Sequence, residues 1–317
     1  MKEIADMLRV WRHVRGQPFA LATLVQVQGS SYRRAGARML ICPDGRTVGS
    51  LSGGCLEEEV ATRAREVVQT GVPALLEFDT RRRFGCNGTI QIFVEAVRES
   101  FLVELGDHLE RRESCRALTV FAGEESELGS RVLQQDDAPQ PAGAFLQQID
   151  PPIRLLIFGE GPDSTPLRSL ALGLGWEVVE AVSVAELPTQ LDERTAAIVK
   201  SHNYGRDCAA LRQLLQHPLR YVGLLGPRLR RDQILGDLLD SGVAIAAELY
   251  APAGLDLGAE APEEIALAIV AEIQKVFAEA SGESLRARKV PIHGWKVAQP
   301  ADETPRPPLE ECEASAR

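Results

Sequence analysis

Between Ile153 and Asp240 short apolar runs recur, each ending in a glycine-containing or polar turn that leads into a helical segment. Ile153–Phe158 runs into Gly159-Glu160-Gly161, and Glu177–Val182 follows Gly175. Ala196–Ser201 runs into His202, and Tyr221–Leu225 into Gly226. Continuous apolar strands alternating with helices must be covered on both faces, so this pattern predicts a parallel, doubly wound sheet. Ligands of such sheets sit outside the carboxyl ends of the strands. The loops at Gly159, His202 and Gly226 are therefore expected to line one crevice.

The preceding part reads differently. A helix over Met1–Arg15 places Ile4, Met7, Leu8 and Trp11 on one face. Strands are expected over Phe19–Gln28, Met39–Cys42, Thr47–Ser50, Ala74–Phe78 and Thr89–Val97, with a hairpin turn at Asp44-Gly45. A helix is expected from Cys55 to about Gln69, another over Phe101–Arg112, and a strand over Ala117–Phe121. The stretch 123–152 is acidic and polar and reads as a linker. The expected organisation is an N-terminal α+β domain over 1–122, the linker, a Rossmann-like domain with a closing helix over 153–280, and a poorly ordered tail over 281–317.

A chain of 317 residues can hold two cores of ordinary size. Its net charge of −10 argues against a general nucleic-acid binder, and no apolar run is long enough to span a membrane. Six cysteines lie far apart, without a ligand box, which points to free thiols in a reducing cytoplasm and to no metal site.

Three loops of the first domain carry chemistry. Gly29–Arg38 combines Ser30, Ser31, Arg33, Arg34 and Arg38, residues suited to a phosphate. Ser50–Cys55 brings Ser52, Gly53 and Gly54 to a helix start, where the helix field is expected to lower the pKa of Cys55. Gly85-Cys86-Asn87-Gly88 repeats the glycine–cysteine pairing after the basic run Arg81–Arg83. The same features also describe a turn with a buried thiol and solvated charges. In the second domain Gly159-x-Gly161 carries Ser164 where a dinucleotide fingerprint has its third glycine, and Val182 where it has an acid. Asp207 reads as a helix cap, and Arg228, Arg230 and Arg231 as an anion grip or a solvated face.

These stretches, in this order from about residue 15 to 275, resemble the xanthine dehydrogenase accessory factors of the XdhC/CoxI type. The resemblance rests on Gly29-Ser-Ser-x-Arg-Arg-x-Gly36-Ala, Gly49-Ser-Leu-Ser-Gly-Gly-Cys-Leu-Glu57, Gly85-Cys-Asn-Gly88, Ser201-His202 with Asp207, Tyr221-Val-Gly-Leu-Leu-Gly226, and Ala251-Pro-x-Gly-Leu-Asp-Leu-Gly258. It implies a cytoplasmic maturation factor rather than a turnover enzyme. Such a factor holds molybdenum cofactor (molybdopterin) during sulfuration by a cysteine desulfurase, then helps insert it into an apo molybdenum hydroxylase. Cys55 and Cys86 are then candidate thiolate ligands or sulfur carriers. Ser30, Ser31, Arg33, Arg34, Ser52, Gly53, Gly54, Gly85, Gly88, Gly159, Gly161, His202, Asp207 and Arg228 are candidate binding residues, and a homodimer is implied. The alternatives are an NAD(P)-dependent oxidoreductase using the Gly159 crevice, weakened by the departures at Glu160, Pro162, Val182 and Pro227, and a non-catalytic scaffold.

Overall fold

A run such as Ala20–Gly29, β-branched late and apolar early, forms β1 and pairs on both sides. In the computed structural model the described residues are 1–54, 56–79, 88–134 and 141–288. β1 lies at the centre of an antiparallel sheet with β2 (Arg38–Ile41), β3 (Thr47–Gly49), β4 (Ala74–Asp79) and β5 (Gly88–Ala96), in the order β3-β2-β1-β5-β4. Alternation along β1 divides its side chains. Leu21 joins a core with Met7, Leu8 and Trp11 of α1 (Lys2–His13) and Phe101 and Leu105 of α3 (Glu99–Glu110). Ala22 and Leu24 face Val60, Ala64 and Val67 of α2 (Glu57–Thr70). The hairpin between β2 and β3 turns at Gly45, whose φ of 86 suits glycine.

The stretch 123–152, expected to be a linker, holds strands instead. β7 (Gly129–Leu133) and β8 (Ala144–Ile149) flank β6 (Cys115–Val120) in a second antiparallel sheet. Val132 and Ile149 enter the α1/α3 core, while most of the other β8 side chains are half-buried, so the strands look polar in sequence. The middle of that expected linker, 135–140, lies outside the described residues, as does the expected tail from 289 onward.

The parallel sheet forms as expected: β9 (Arg154–Phe158), β10 (Glu177–Ala181), β11 (Thr195–Val199), β12 (Tyr221–Leu224) and the short β13 (Leu249–Tyr250). Its order is β10-β9-β11-β12-β13 with every pairing parallel. α4 (Ser164–Gly173) and α7 (Pro262–Ala278) cover one face, and α5 (Tyr204–Leu214) and α6 (Arg228–Asp240) the other. The order reverses between β9 and β11, so the crevice opens where Gly159 and Lys200 leave those strands. Met1–Gly282 forms one compact unit.

Arg112 fastens the antiparallel part to the parallel sheet. It has a φ of 58 just after α3, a position that usually falls to glycine. Its side chain explains the exception: it donates to Asp192 Oδ2 at 2.5 Å and Oδ1 at 3.2 Å, to Glu177 Oε2 at 2.7 Å and to the Pro152 carbonyl at 3.2 Å. Burial pushes the Asp192 carboxyl up, but the hydrogen bonds from Arg112 and Thr195 outweigh it and hold the group below its ordinary value. Arg112→Ala is expected to cost about 2–3 kcal/mol in urea unfolding. Arg112→Gly, free of the left-handed penalty, should cost about 1 kcal/mol less. Equal losses for the two variants would contradict this division.

Candidate functional site

The Ser50–Leu56 loop is an anion nest, and its occupant is the chain's own Glu57. The carboxylate accepts hydrogen bonds from Ser50 Oγ (2.9 Å), Leu51 N (3.2 Å), Ser52 N (2.8 Å), Ser52 Oγ (2.7 Å) and Leu56 N (3.1 Å). Burial alone would push Glu57 up. The hydrogen bonds from Ser52 and Ser50 outweigh it and carry the pKa down to about 2. α2 begins at Glu57 with Leu56 as its N-cap, slightly later than the expected start at Cys55. At the helix start, the Leu56 N–H is taken by this carboxylate. Cys55 itself lies outside the described residues, as do Gly85, Cys86 and the Arg81–Arg83 run.

Gly53 and Gly54 are exposed on this loop, with nothing within 4 Å of a built Cβ at either. Gly54 has a φ of 108, so only it needs glycine for its backbone. Gly53→Ala should leave the melting temperature unchanged, whereas Gly54→Ala should lower it; equal losses would contradict the assignment.

The neighbouring loop, 30–37, folds back on β1 through Gly36 N to the Leu24 carbonyl (2.7 Å) and Leu24 N to the Ala37 carbonyl (2.9 Å). Ser30 and Arg34 are exposed and Ser31 is half-buried. Arg33 makes a two-toothed pair with Glu3 of α1, Nη1 to Oε1 at 2.8 Å and Nη2 to Oε2 at 2.5 Å. That hydrogen bond raises the Arg33 pKa, and the Glu57 carboxylate adds to the same field. Arg33 is thus engaged by Glu3 of α1, and the Glu57 carboxylate makes the smallest contribution to its field. At β5, Gly88 lies against Ser30: a Cβ there would come within 2.7 Å of the Ser30 carbonyl oxygen. The end of the third loop thus abuts the first. Arg38 does not join them. It is buried in β2, bonded to Gln147, and desolvation lowers its pKa to about 10.

In the parallel sheet, Gly159 (φ 121) turns tightly against the backbone of Ser201, and a Cβ there would lie 2.7 Å from Ser201 N. Lys200, fully buried at the end of β11, donates to Asp163 Oδ1 (2.8 Å) and to the Glu160 carbonyl (3.0 Å). His202 is exposed, has a φ of 54, and sits 3.7 Å from Asp163 Oδ2. Asp207 is not the cap of α5; Asn203 is, its Oδ1 accepting from Arg206 N at 3.1 Å. Asp207 is fully buried one turn in, where Oδ1 accepts from Ser201 N (3.1 Å) and Oγ (2.5 Å), and Oδ2 from Arg230 (2.5 Å). Arg228 is exposed at the start of α6, whereas Arg230, read as an anion grip or a solvated face, is half-buried and pairs with Asp207 of the same chain.

The sequence reading missed Glu57, Glu3, Lys200 and Asp163 as site residues. Two of them were marked by position: an acid opening a helix after a serine–glycine turn, and a lysine ending an apolar strand at the switch of strand order. Among the described residues no group of three or more His, Cys, Asp or Glu could hold a metal ion, and no helix is long and apolar enough to cross a membrane.

Fold and site together define an α/β protein with antiparallel sheets and a doubly wound parallel sheet, in which the Ser50–Leu56 loop is closed on the chain's own Glu57. The chain belongs to the XdhC and CoxI family: that family's model matches residues 13–79, and the XdhC Rossmann domain matches 155–273. It is 32% identical over 310 residues to a probable xanthine dehydrogenase component of Bacillus subtilis (strain 168), covering 80% of this chain and 91% of the other. It is 26% identical to the molybdenum cofactor insertion chaperone PaoD of Escherichia coli (strain K12), covering 82% and 84%. A crystal structure of a xanthine dehydrogenase from Bacillus halodurans superposes with a TM-score of 0.73 at 27% identity, covering 90% of this chain and 98% of that one.

Proposed function

We propose that the chain is a maturation factor for a molybdenum hydroxylase, taking molybdenum cofactor as cargo and passing it to the apoenzyme. The observation that carries this reading is that each of the two loops, 30–34 and 50–57, already holds a carboxylate of the chain with paired donors. There Arg33 grips both oxygens of Glu3, and the Ser50–Leu56 nest grips both oxygens of Glu57. A phosphate presents the same paired oxygens with more charge, so the donor set fits the phosphate of a pterin cargo. The relation to a molybdenum cofactor insertion chaperone supports the same assignment. Bound cofactor would supply the molybdenum centre that the client enzyme uses. The chain's own part is to exchange an internal carboxylate for the incoming phosphate at Arg33, while Glu57 keeps the second loop ordered.

The finer reading adds sulfuration of the cargo with a cysteine desulfurase, Cys55 and Cys86 as soft ligands or sulfur carriers, a cytoplasmic setting and a homodimer. It keeps the division into an accessory part and a Rossmann-like part from residue 153, with the boundary near Asp150. The test is reconstitution of an apo-hydroxylase with cofactor, with and without this chain. Activity should rise with the chain and fall with Cys55→Ala or Cys86→Ala. Full activity of both variants would remove the cysteine role, and no gain with the wild-type chain would remove the maturation role.

A further inference from the structure

We infer that the crevice of the parallel sheet is filled by the chain's own Asp163 carboxylate, which holds the place of a dinucleotide pyrophosphate and excludes NAD(P). Doubly wound sheets bind nucleotides at the point where strand order reverses, and the second glycine of the turn there lets the phosphates approach bare backbone. Here that point lies between β9 and β11, and the glycine is Gly161, with a φ of 130. A Cβ built on Gly161 would lie 2.7 Å from Asp163 Oδ1, so an anion already covers the glycine's open face.

The remaining groups agree. Lys200, the cation that could meet a phosphate, is fully buried and bonded to Asp163 and the Glu160 carbonyl. Asp163 stands at the N-cap of α4 yet makes no side-chain cap bond, its carboxylate being turned to Lys200 and His202. Glu160 adds an exposed negative charge between the two glycines. At the end of β10, where a ribose-binding acid belongs, Val182 donates its N–H to Glu186 (2.9 Å) and its carbonyl accepts from Arg206. A pyrophosphate entering this crevice would meet two carboxylates and a lysine already paired to one of them.

The experiment titrates wild-type protein with NADH, NADPH and inorganic pyrophosphate, by fluorescence for the first two and calorimetry for the third. No saturable binding is expected below about 1 mM. Asp163→Ala empties the place and leaves the Lys200 ammonium without its counterion, so pyrophosphate affinity should rise at least about tenfold, a factor that about 1.4 kcal/mol supplies. In Asp163→Ala/Lys200→Met the gain should vanish. Should Asp163→Ala not fold, Asp163→Asn keeps the shape and removes the charge, and its melting temperature should climb with pyrophosphate where that of wild type does not. Micromolar binding of NADH or NADPH by wild type overturns the inference, as does an unchanged pyrophosphate response in the Asp163 variants.

Discussion

Replacing Asp207 by alanine is expected to lower the unfolding free energy by about 3–4 kcal/mol, measured by urea unfolding. Its carboxylate is fully buried and joins three donors on two elements, Ser201 N and Oγ at the end of β11 and the Arg230 guanidinium of α6. Without it the guanidinium loses its counterion while its Nε already lacks a partner, so a half-desolvated charge is left unpaired. Asp207→Asn does not restore the site. One amide oxygen can serve Ser201, but the NH2 group then faces the Arg230 donors, and the loss should be about 2–3 kcal/mol. Arg230→Met should cost a similar amount by leaving the acid alone. The double variant Asp207→Ala/Arg230→Met should lose less than the two single losses summed, because the pair is removed together. A loss within about 0.5 kcal/mol of wild type for Asp207→Ala would contradict the assignment of a buried, coupled pair.

Glu57→Ala is expected to have the largest effect on the candidate site. Five donors converge on this one carboxylate, and two of them, Ser52 N and Leu56 N, lie on either side of the segment that contains Cys55. Because the group is partly open to solvent, its contribution to stability is screened and set at about 1–2 kcal/mol. Loss of loop order should weaken cofactor capture at least about tenfold. The pH dependence separates charge from packing. The folded-state pKa of about 2 lies below the ordinary 4.5, so the carboxylate stabilises the fold above about pH 4.5, and that contribution is lost as the pH falls toward 2. Glu57→Gln should therefore be less stable than wild type at pH 7, with the gap narrowing below about pH 4.5 and closing only as the pH falls toward 2. A constant difference across this range would show that Glu57 acts by shape alone.

The parallel sheet was legible because strands such as Thr195–Val199 are buried on both faces and are almost wholly apolar. β7 and β8 were not: β7 is a five-residue run whose buried positions include Gly129 and Ser130, and β8 is a half-buried edge strand carrying glutamines, so both differ little in composition from a loop. In the Ser50–Leu56 loop, the place read from sequence as one for a ligand or a thiolate receives the Glu57 carboxylate. A serine–glycine helix start advertises a place for negative charge, and nothing local says whether a ligand, a thiolate or the next acid in the chain will take it. The same ambiguity hid Asp163 behind the Gly159-x-Gly161 turn. The Glu3–Arg33 pair joins residues 30 positions apart, and no local spacing rule reaches that far.

The loop cluster around Arg33 and Glu57 is where molybdenum cofactor is proposed to sit, and its pterin and molybdenum content is the most direct measurement. The full chain is purified from a host that makes the cofactor. Molybdopterin should co-purify with wild type and fall at least about tenfold in Arg33→Gln, with the fold intact by circular dichroism. Wild-type protein carrying no more pterin than an unrelated control from the same host, or an Arg33→Gln variant carrying as much as wild type, would contradict it.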